Sequence, residues 1–249
     1  MATTIVSVIN QKGGTGKTTT TINLGSALQK LGKRVLLIDL DPQANLTYSL
    51  GITEPAHTLA DVFTGQQKLV DAIQERNGLY VAPGSNELVD VEISLVTHEN
   101  RESFLGQLLS EVKDYDYILI DCPPSLSVLT VNALAASDEV LIPLQMEVLT
   151  LQGLGQILNT VQQIKTTLNP RLKVKGIVVV MYDKRRKLST EIEDYLKENV
   201  DEYIFNQRIR LNVKLAEAPS FGQSVIEYDA ASYGAKDYMG LAQEFVALR

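Results

Sequence analysis

Thr4-Ile5-Val6-Ser7-Val8-Ile9-Asn10-Gln11-Lys12-Gly13-Gly14-Thr15-Gly16-Lys17-Thr18-Thr19 passes from an apolar, β-branched run through a glycine-rich turn into a helical pattern that continues to Leu31. The apolar run has strand length and no polar face, as in a strand covered on both sides. The glycines let the backbone turn so that several N–H groups aim at one centre, and the helix that follows adds its positive N-terminal end. A phosphate chain is the ligand that such a cradle fits. Lys17 would reach the β- and γ-phosphates as a mobile point charge, and the Thr18 hydroxyl would ligate Mg²⁺. The strict spacing G-x-x-x-x-G-K-[ST] is broken in one place, because Gln11 stands where the first glycine belongs. Lys12 is the second departure; a lysine within the loop cannot easily fold back on its own phosphates, so it points outward, as either a solvated surface residue or a functional one.

The same strand character recurs at Val35–Ile38, Tyr117–Ile120, Val140–Ile142 and Gly176–Met181. Between these runs lie helical patterns such as Leu151, Leu154, Leu158, Val161, Ile164 and Leu168, which share one helix face. Alternating strands and helices predict an α/β fold, a doubly wound, mostly parallel sheet with helices on both faces. No repeat, low-complexity tract or Pro/Gly/Ser linker divides residues 1–249, so one domain is expected. Residues Gly51 to Asn100 are the least periodic and are expected to carry surface helices inserted after the second strand.

Composition narrows the setting. The 249 residues are 45% hydrophobic and 21% charged, enough for a full core. The lone Cys122 excludes an internal disulfide and is read as a small buried hydrophobe. No signal-peptide pattern and no stretch of about 18 apolar residues occurs, so a soluble cytoplasmic protein is expected. A net charge of −7 argues against a surface coated for nucleic acid.

Two predicted strands run into aspartates: Val35-Leu36-Leu37-Ile38-Asp39-Leu40-Asp41-Pro42-Gln43 and Tyr117-Ile118-Leu119-Ile120-Asp121-Cys122-Pro123-Pro124. Ligands of open parallel sheets bind beyond the carboxyl ends of the strands, so these acids can converge on the glycine-rich loop. Asp121 is placed to hold Mg²⁺ through water, Asp41 to orient or deprotonate the attacking water, and Asp39 to serve either magnesium or loop support. Each taken singly could equally cap a turn or helix.

Lys12 to Thr19, Asp39-Leu40-Asp41-Pro42-Gln43-Ala44-Asn45 and Ile120-Asp121-Cys122-Pro123-Pro124 together resemble the signatures of the deviant Walker P-loop ATPases, and within them the ParA/Soj partition ATPases. Leu215-Ala216-Glu217-Ala218-Pro219-Ser220-Phe221-Gly222 and Tyr228-Asp229 are similar to the same branch, so the resemblance runs from about residue 4 to the end. It implies weak, partner-stimulated ATP hydrolysis with Mg²⁺ and an ATP-dependent sandwich homodimer. Lys12 would cross the dimer interface to the partner's nucleotide, the loop Lys12 to Thr19 would hold the chain's own nucleotide, and Asp41 would act in hydrolysis. Gln11 is common in this branch. The adenine-contacting segment of the family contains Pro-x-Asn; here it reads Arg210-Leu211-Asn212, which carries over Asn212 but not the residue at 210.

Residues 170 to 190 hold Arg171, Lys173, Lys175, Lys184, Arg185, Arg186 and Lys187 against Asp183, a local +6 that leaves −13 on the remainder. By itself a charge run is usually a solvated face; the resemblance implies that Lys184, Arg185, Arg186 and Lys187 belong to a nonspecific double-stranded DNA surface of the dimer. It further implies a nucleoid-associated partition ATPase driving plasmid or chromosome segregation with a ParB-like centromere-binding partner. A positioner of protein cargo, such as a chemoreceptor cluster or a carboxysome, would share the cycle. A MinD-like membrane ATPase is disfavoured, because the last 18 residues balance to zero charge. The chain starts at its first strand, so autoregulation through an N-terminal helix-turn-helix is not expected.

Overall fold

The computed structural model describes residues 3–183 and 185–248, apart from the side chains of residues 148, 149 and 187–190. Its strands are β1 (Thr4–Val8), β2 (Val35–Asp39), β3 (Gln74–Arg76), β4 (Leu79–Ala82), β5 (Tyr117–Asp121), β6 (Glu139–Gln145) and β7 (Lys173–Val180). They form one seven-stranded sheet in the order β3-β4-β2-β5-β1-β6-β7, parallel except for β3. The expected doubly wound α/β fold is present. The chain first moves from β1 towards β2 and later returns to add β6 on the other side of β1, so the loop after β1 opens at a switch point.

Strand side chains alternate between two cores. Leu36, Ile38, Ile118, Ile120, Val140 and Ile142 face one side, and Val6, Val8, Leu37, Leu119 and Leu141 face the other. The second face is covered by α1 (Lys17–Lys30) and, from the far end of the chain, by the helix Tyr233–Ala247. These two helices are joined inside the core by a hydrogen bond between the Thr20 hydroxyl and the Tyr238 phenol at 3.1 Å. The apolar side of the last helix, with Tyr238, Leu241, Ala242 and Phe245, is therefore spent on the core. Among the described residues no helix is long and apolar enough to cross a membrane.

Residues 51–100 depart from expectation. Short helices occur there, at Leu59–Phe63, Leu69–Ala72 and Leu88–Leu95, but so do β3 and β4. Asn77 and Gly78 both adopt positive φ, 53° and 77°, and form the two-residue turn of a hairpin. β4 then pairs with β2 and belongs to the sheet interior. The helix Val148–Thr167 buries Leu154, Ile157, Val161 and Ile164, whereas Leu168 follows its end and is exposed.

β7 begins three residues before the expected Gly176, and this divides the basic segment. Arg171 and Lys173 lie at its start, while Arg185 and Arg186 lie beyond its far end, about 25 Å away at a strand rise of about 3.3 Å per residue. Lys175 is lost to the fold: its ammonium donates to Glu139 at 3.1 Å and to the Leu248 carbonyl at 2.5 Å. The +6 stretch is thus not one patch.

Next to Lys175 the β6–β7 register shifts, and Gly176 takes φ 153°. A Cβ there would lie 2.7 Å from the Tyr203 carbonyl and 2.8 Å from the Phe205 ring. Gly176→Ala is expected to cost about 1–3 kcal/mol through this clash, read as a lower urea midpoint with an unchanged m-value.

Candidate functional site

The loop after β1 is shaped by left-handed glycines. Gly14 and Gly16 have φ of 74° and 78°, and Gly16 leads directly into α1. No side chain caps α1 and no acidic residue occupies its first turn. Its free N–H groups and positive dipole end therefore remain available to an anion. The loop is braced from behind. Asn10 accepts from the Lys12 N–H at 3.0 Å and donates to the Pro143 carbonyl at 2.7 Å, Thr15 donates to the Lys12 carbonyl at 3.1 Å, and Gln145 donates to the Gly14 carbonyl at 2.8 Å. Gln11 is part of this wall, and its amide nitrogen is buried without a hydrogen-bond partner.

Lys17 is 7% exposed, and its ammonium has one weak contact, the Lys12 carbonyl at 3.5 Å. Burial lowers its pKa, while the charges of Asp121 and Asp41 oppose that shift. A buried cation so poorly partnered is poised for an incoming anion.

Beside it, β2 and β5 end in register, with Asp39 opposite Asp121. Both are completely buried. Asp121 accepts from the Thr18 hydroxyl at 2.7 Å and the Thr21 hydroxyl at 3.5 Å. Burial, reinforced by Asp39, pushes its carboxyl well above the ordinary range. Asp39 accepts the Thr47 N–H at 2.8 Å and the Thr47 hydroxyl at 2.5 Å, and that hydroxyl accepts the Gly84 N–H at 2.9 Å. These bonds tie Asp39 to the short helix Asn45–Ser49 that follows β2. Its second oxygen, Oδ1, is buried without a partner, and burial pushes its carboxyl up to about 7. Asp41 is also buried and accepts from the Gln43 N–H at 2.9 Å. The three aspartates expected to converge on the loop are thus gathered at one end of the sheet. Cys122 lies beside them, fully buried.

The donor set fits Mg²⁺. One hydroxyl (Thr18), one adjacent carboxylate (Asp121) and the orphaned Asp39 oxygen match a cation that keeps waters and takes its other oxygens from phosphate. Among the described residues no group of three or more His, Cys, Asp or Glu forms an all-protein cage.

Lys12 points away from the loop, as expected. Half-exposed, it forms a 2.6 Å salt bridge with Glu147. At the start of α1 and the end of β7 lies a mostly apolar cavity of about 150 Å³, lined by Gly16, Thr19, Val180, Met181, Leu211 and Asn212 among others. Asn212 also caps the short helix Val213–Glu217 by accepting the Lys214 N–H at 2.9 Å. Gly13 is exposed at the outer rim of the loop. Of the basic group beyond β7, Arg185 and Arg186 are exposed, Arg185 being paired with Asp183 at 2.8 Å. Lys184 and the side chain of Lys187 lie outside the described residues.

Thr47, Gln145 and Glu147 are site residues that sequence reasoning missed. Thr47 carries a local signal, a hydroxyl eight residues after Asp39; the other two meet the loop only through the pairing of β6 with β1.

A family described as an AAA domain matches residues 3–174. The chain is 44% identical to the chromosome partitioning protein ParA of Caulobacter vibrioides (strain NA1000 / CB15N) over 98% of this chain and 94% of that relative. It is equally 44% identical to the chromosome-partitioning ATPase Soj of Treponema pallidum, over 96% of this chain and 95% of the relative. Among solved structures it is similar to cobyrinic acid a,c-diamide synthase from Mycobacterium smegmatis with bound ADP and magnesium, with a TM-score of 0.86, 33% identity, and coverage of 97% and 93%.

The buried carboxyls set a pH dependence. Asp39 and Asp121 hold protons in the folded chain that the unfolded chain releases, so stability falls as pH rises from about 4 through about 7. Asp121→Asn is expected to flatten this decline in calorimetric scans, raising the melting temperature at pH 8 by roughly 2–4 °C. It is also expected to abolish the effect of Mg²⁺ on nucleotide affinity.

Proposed function

The chain belongs to the ParA/Soj family of partition ATPases, and from that membership we propose that it is a magnesium-dependent ATPase whose ATP-bound dimer holds DNA nonspecifically during segregation. The observation that carries the proposal is the buried, nearly unpartnered Lys17 ammonium beneath an uncapped helix N-terminus, next to Thr18 and Asp121.

In this reading Lys17 leaves the Lys12 carbonyl for the terminal phosphates of ATP, and the loop and first-turn N–H groups take the remaining phosphate oxygens. Mg²⁺, when bound, neutralises charge on the β- and γ-phosphates. Thr18 would hold it directly, with Asp121 receiving its waters and with Asp39 and Thr47 bracing the wall behind. Asp41 orients the attacking water. Thr19 and Asn212 border the cavity that receives the base.

Lys12 is the link to a second copy of the chain. Its partner Glu147 is half-exposed, so exchanging this salt bridge for a phosphate on the facing subunit sacrifices little. Dimerisation then places two sets of Arg185 and Arg186 on one assembly. Arg185 must trade Asp183 for DNA phosphate, which suits weak, salt-sensitive, sequence-independent contact. A ParB-like partner stimulates hydrolysis and so releases the dimer from DNA.

Lys17→Ala tests the proposal: ATP-dependent dimerisation in sedimentation velocity should disappear, and a dimer that persists would remove the site from the loop. Arg185→Ala combined with Arg186→Ala should leave ATP binding intact and weaken DNA binding. The slope of log affinity against log salt should become shallower by up to about 4 per dimer; an unchanged slope would move the DNA surface elsewhere.

A further inference from the structure

The segment that borders the base cavity is held by an ion pair that no step above uses. Residues 209–211 run along the end of β7: Ile209 donates to the Val179 carbonyl at 2.9 Å, Tyr182 to the Ile209 carbonyl at 2.9 Å, and Leu211 to the Tyr182 carbonyl at 3.3 Å. Between them, Arg210 makes three bonds to one carboxylate. Its backbone N–H and its Nε each reach Asp237 Oδ2 at 3.0 Å, and its Nη2 reaches Oδ1 at 2.6 Å. The guanidinium also lies 4.2 Å from the centre of the Tyr233 ring. Asp237 is 3% exposed and, like Tyr233, belongs to the helix Tyr233–Ala247, which is anchored to α1 through Tyr238.

This arrangement has a physical logic. A planar guanidinium bidentate to a carboxylate is the most directional ion pair available to side chains, and the backbone N–H as third donor ties the main chain itself to the core helix. A proline at position 210 would stiffen the segment through its ring but would have no N–H to give. Here an arginine achieves the stiffening through Asp237. Leu211 and Asn212, the next two residues, line the base cavity together with Arg210, and the Leu211 side chain is 70% exposed, its backbone held by the single bond to the Tyr182 carbonyl.

We infer that Arg210 is a positioning residue for base recognition: clipped to Asp237 and stacked on Tyr233, it preorganises Leu211 and Asn212 against the base without touching the phosphates. The inference rests on the reading of the cavity as the base site. The entropy of ordering the segment is met on folding rather than on binding, so the gain appears as affinity for nucleotide and not for phosphate alone.

Calorimetric titration with Mg²⁺-ATP and with Mg²⁺-tripolyphosphate, which has the phosphates but no base, separates the possibilities. The wild-type chain should bind ATP more tightly than tripolyphosphate. Arg210→Ala should weaken ATP by about tenfold and leave tripolyphosphate unchanged, with partial recovery in Arg210→Lys. Because Arg210→Ala strands a buried carboxylate, the pair Arg210→Ala with Asp237→Asn is measured beside it and should show the same selective loss. Unchanged ATP affinity in both variants, or an equal loss for both ligands, would overturn the positioning role. Equal affinity of the wild-type chain for the two ligands would instead overturn the base site on which the inference rests.

Discussion

Two fully buried carboxylates, Asp39 and Asp121, stand side by side because β2 and β5 end in register. Like charges in a buried site repel and hold their protons, so the arrangement costs stability in the free chain. Other features at this end of the sheet can be understood as responses to that cost. Thr18, Thr21 and Thr47 satisfy some of the oxygens, Lys17 brings a buried positive charge, and one oxygen of Asp39 remains orphaned. An uncapped helix start opposite them attracts anions. A divalent cation bound together with a polyphosphate satisfies both halves at once, the cation answering the carboxylates and the phosphates answering Lys17 and the helix.

The same economy governs the surface. Lys12 is parked on Glu147, Arg185 on Asp183 and Arg210 on Asp237, but the three pairs differ in burial and so in what they can do. The first two are solvent-exposed and exchangeable, suited to contacts that form only in an assembly. In the third the carboxylate is buried and held by three bonds, which suits a fixed structural clip. Net charge says little about any of this. The −7 total argues against nucleic acid, and the +6 segment points to it only through the family resemblance. The fold then divides that segment, spending Lys175 on Glu139 and the Leu248 carbonyl and leaving Arg185 and Arg186 beyond the end of β7.

Much of the fold and the centre of the site were legible because their chemistry is local in sequence. The glycine loop follows its strand directly, and Asp39 and Asp121 terminate apolar runs, so their meeting follows from a parallel sheet alone. The hairpin β3–β4 was not legible from periodicity: Leu79–Ala82 is too short to show a pattern, and its one clear signal was the Asn77-Gly78 turn. Glu147, Gln145 and Asp237 were hidden for a different reason. Each meets its partner across a long sequence separation, through strand order or helix packing, and nothing beside it in the sequence marks the pairing.

In the proposed function, one buried cluster would convert binding of a magnesium-bound triphosphate into assembly. A crystal structure of the Asp41→Ala variant grown with Mg²⁺-ATP tests it most directly. The expected result is triphosphate in the 11–18 loop against Lys17, Mg²⁺ on the Thr18 hydroxyl, and Lys12 released from Glu147 onto the nucleotide of a facing subunit. A nucleotide bound elsewhere, or a bound nucleotide with Lys17 still on the Lys12 carbonyl and Lys12 still on Glu147, would contradict it.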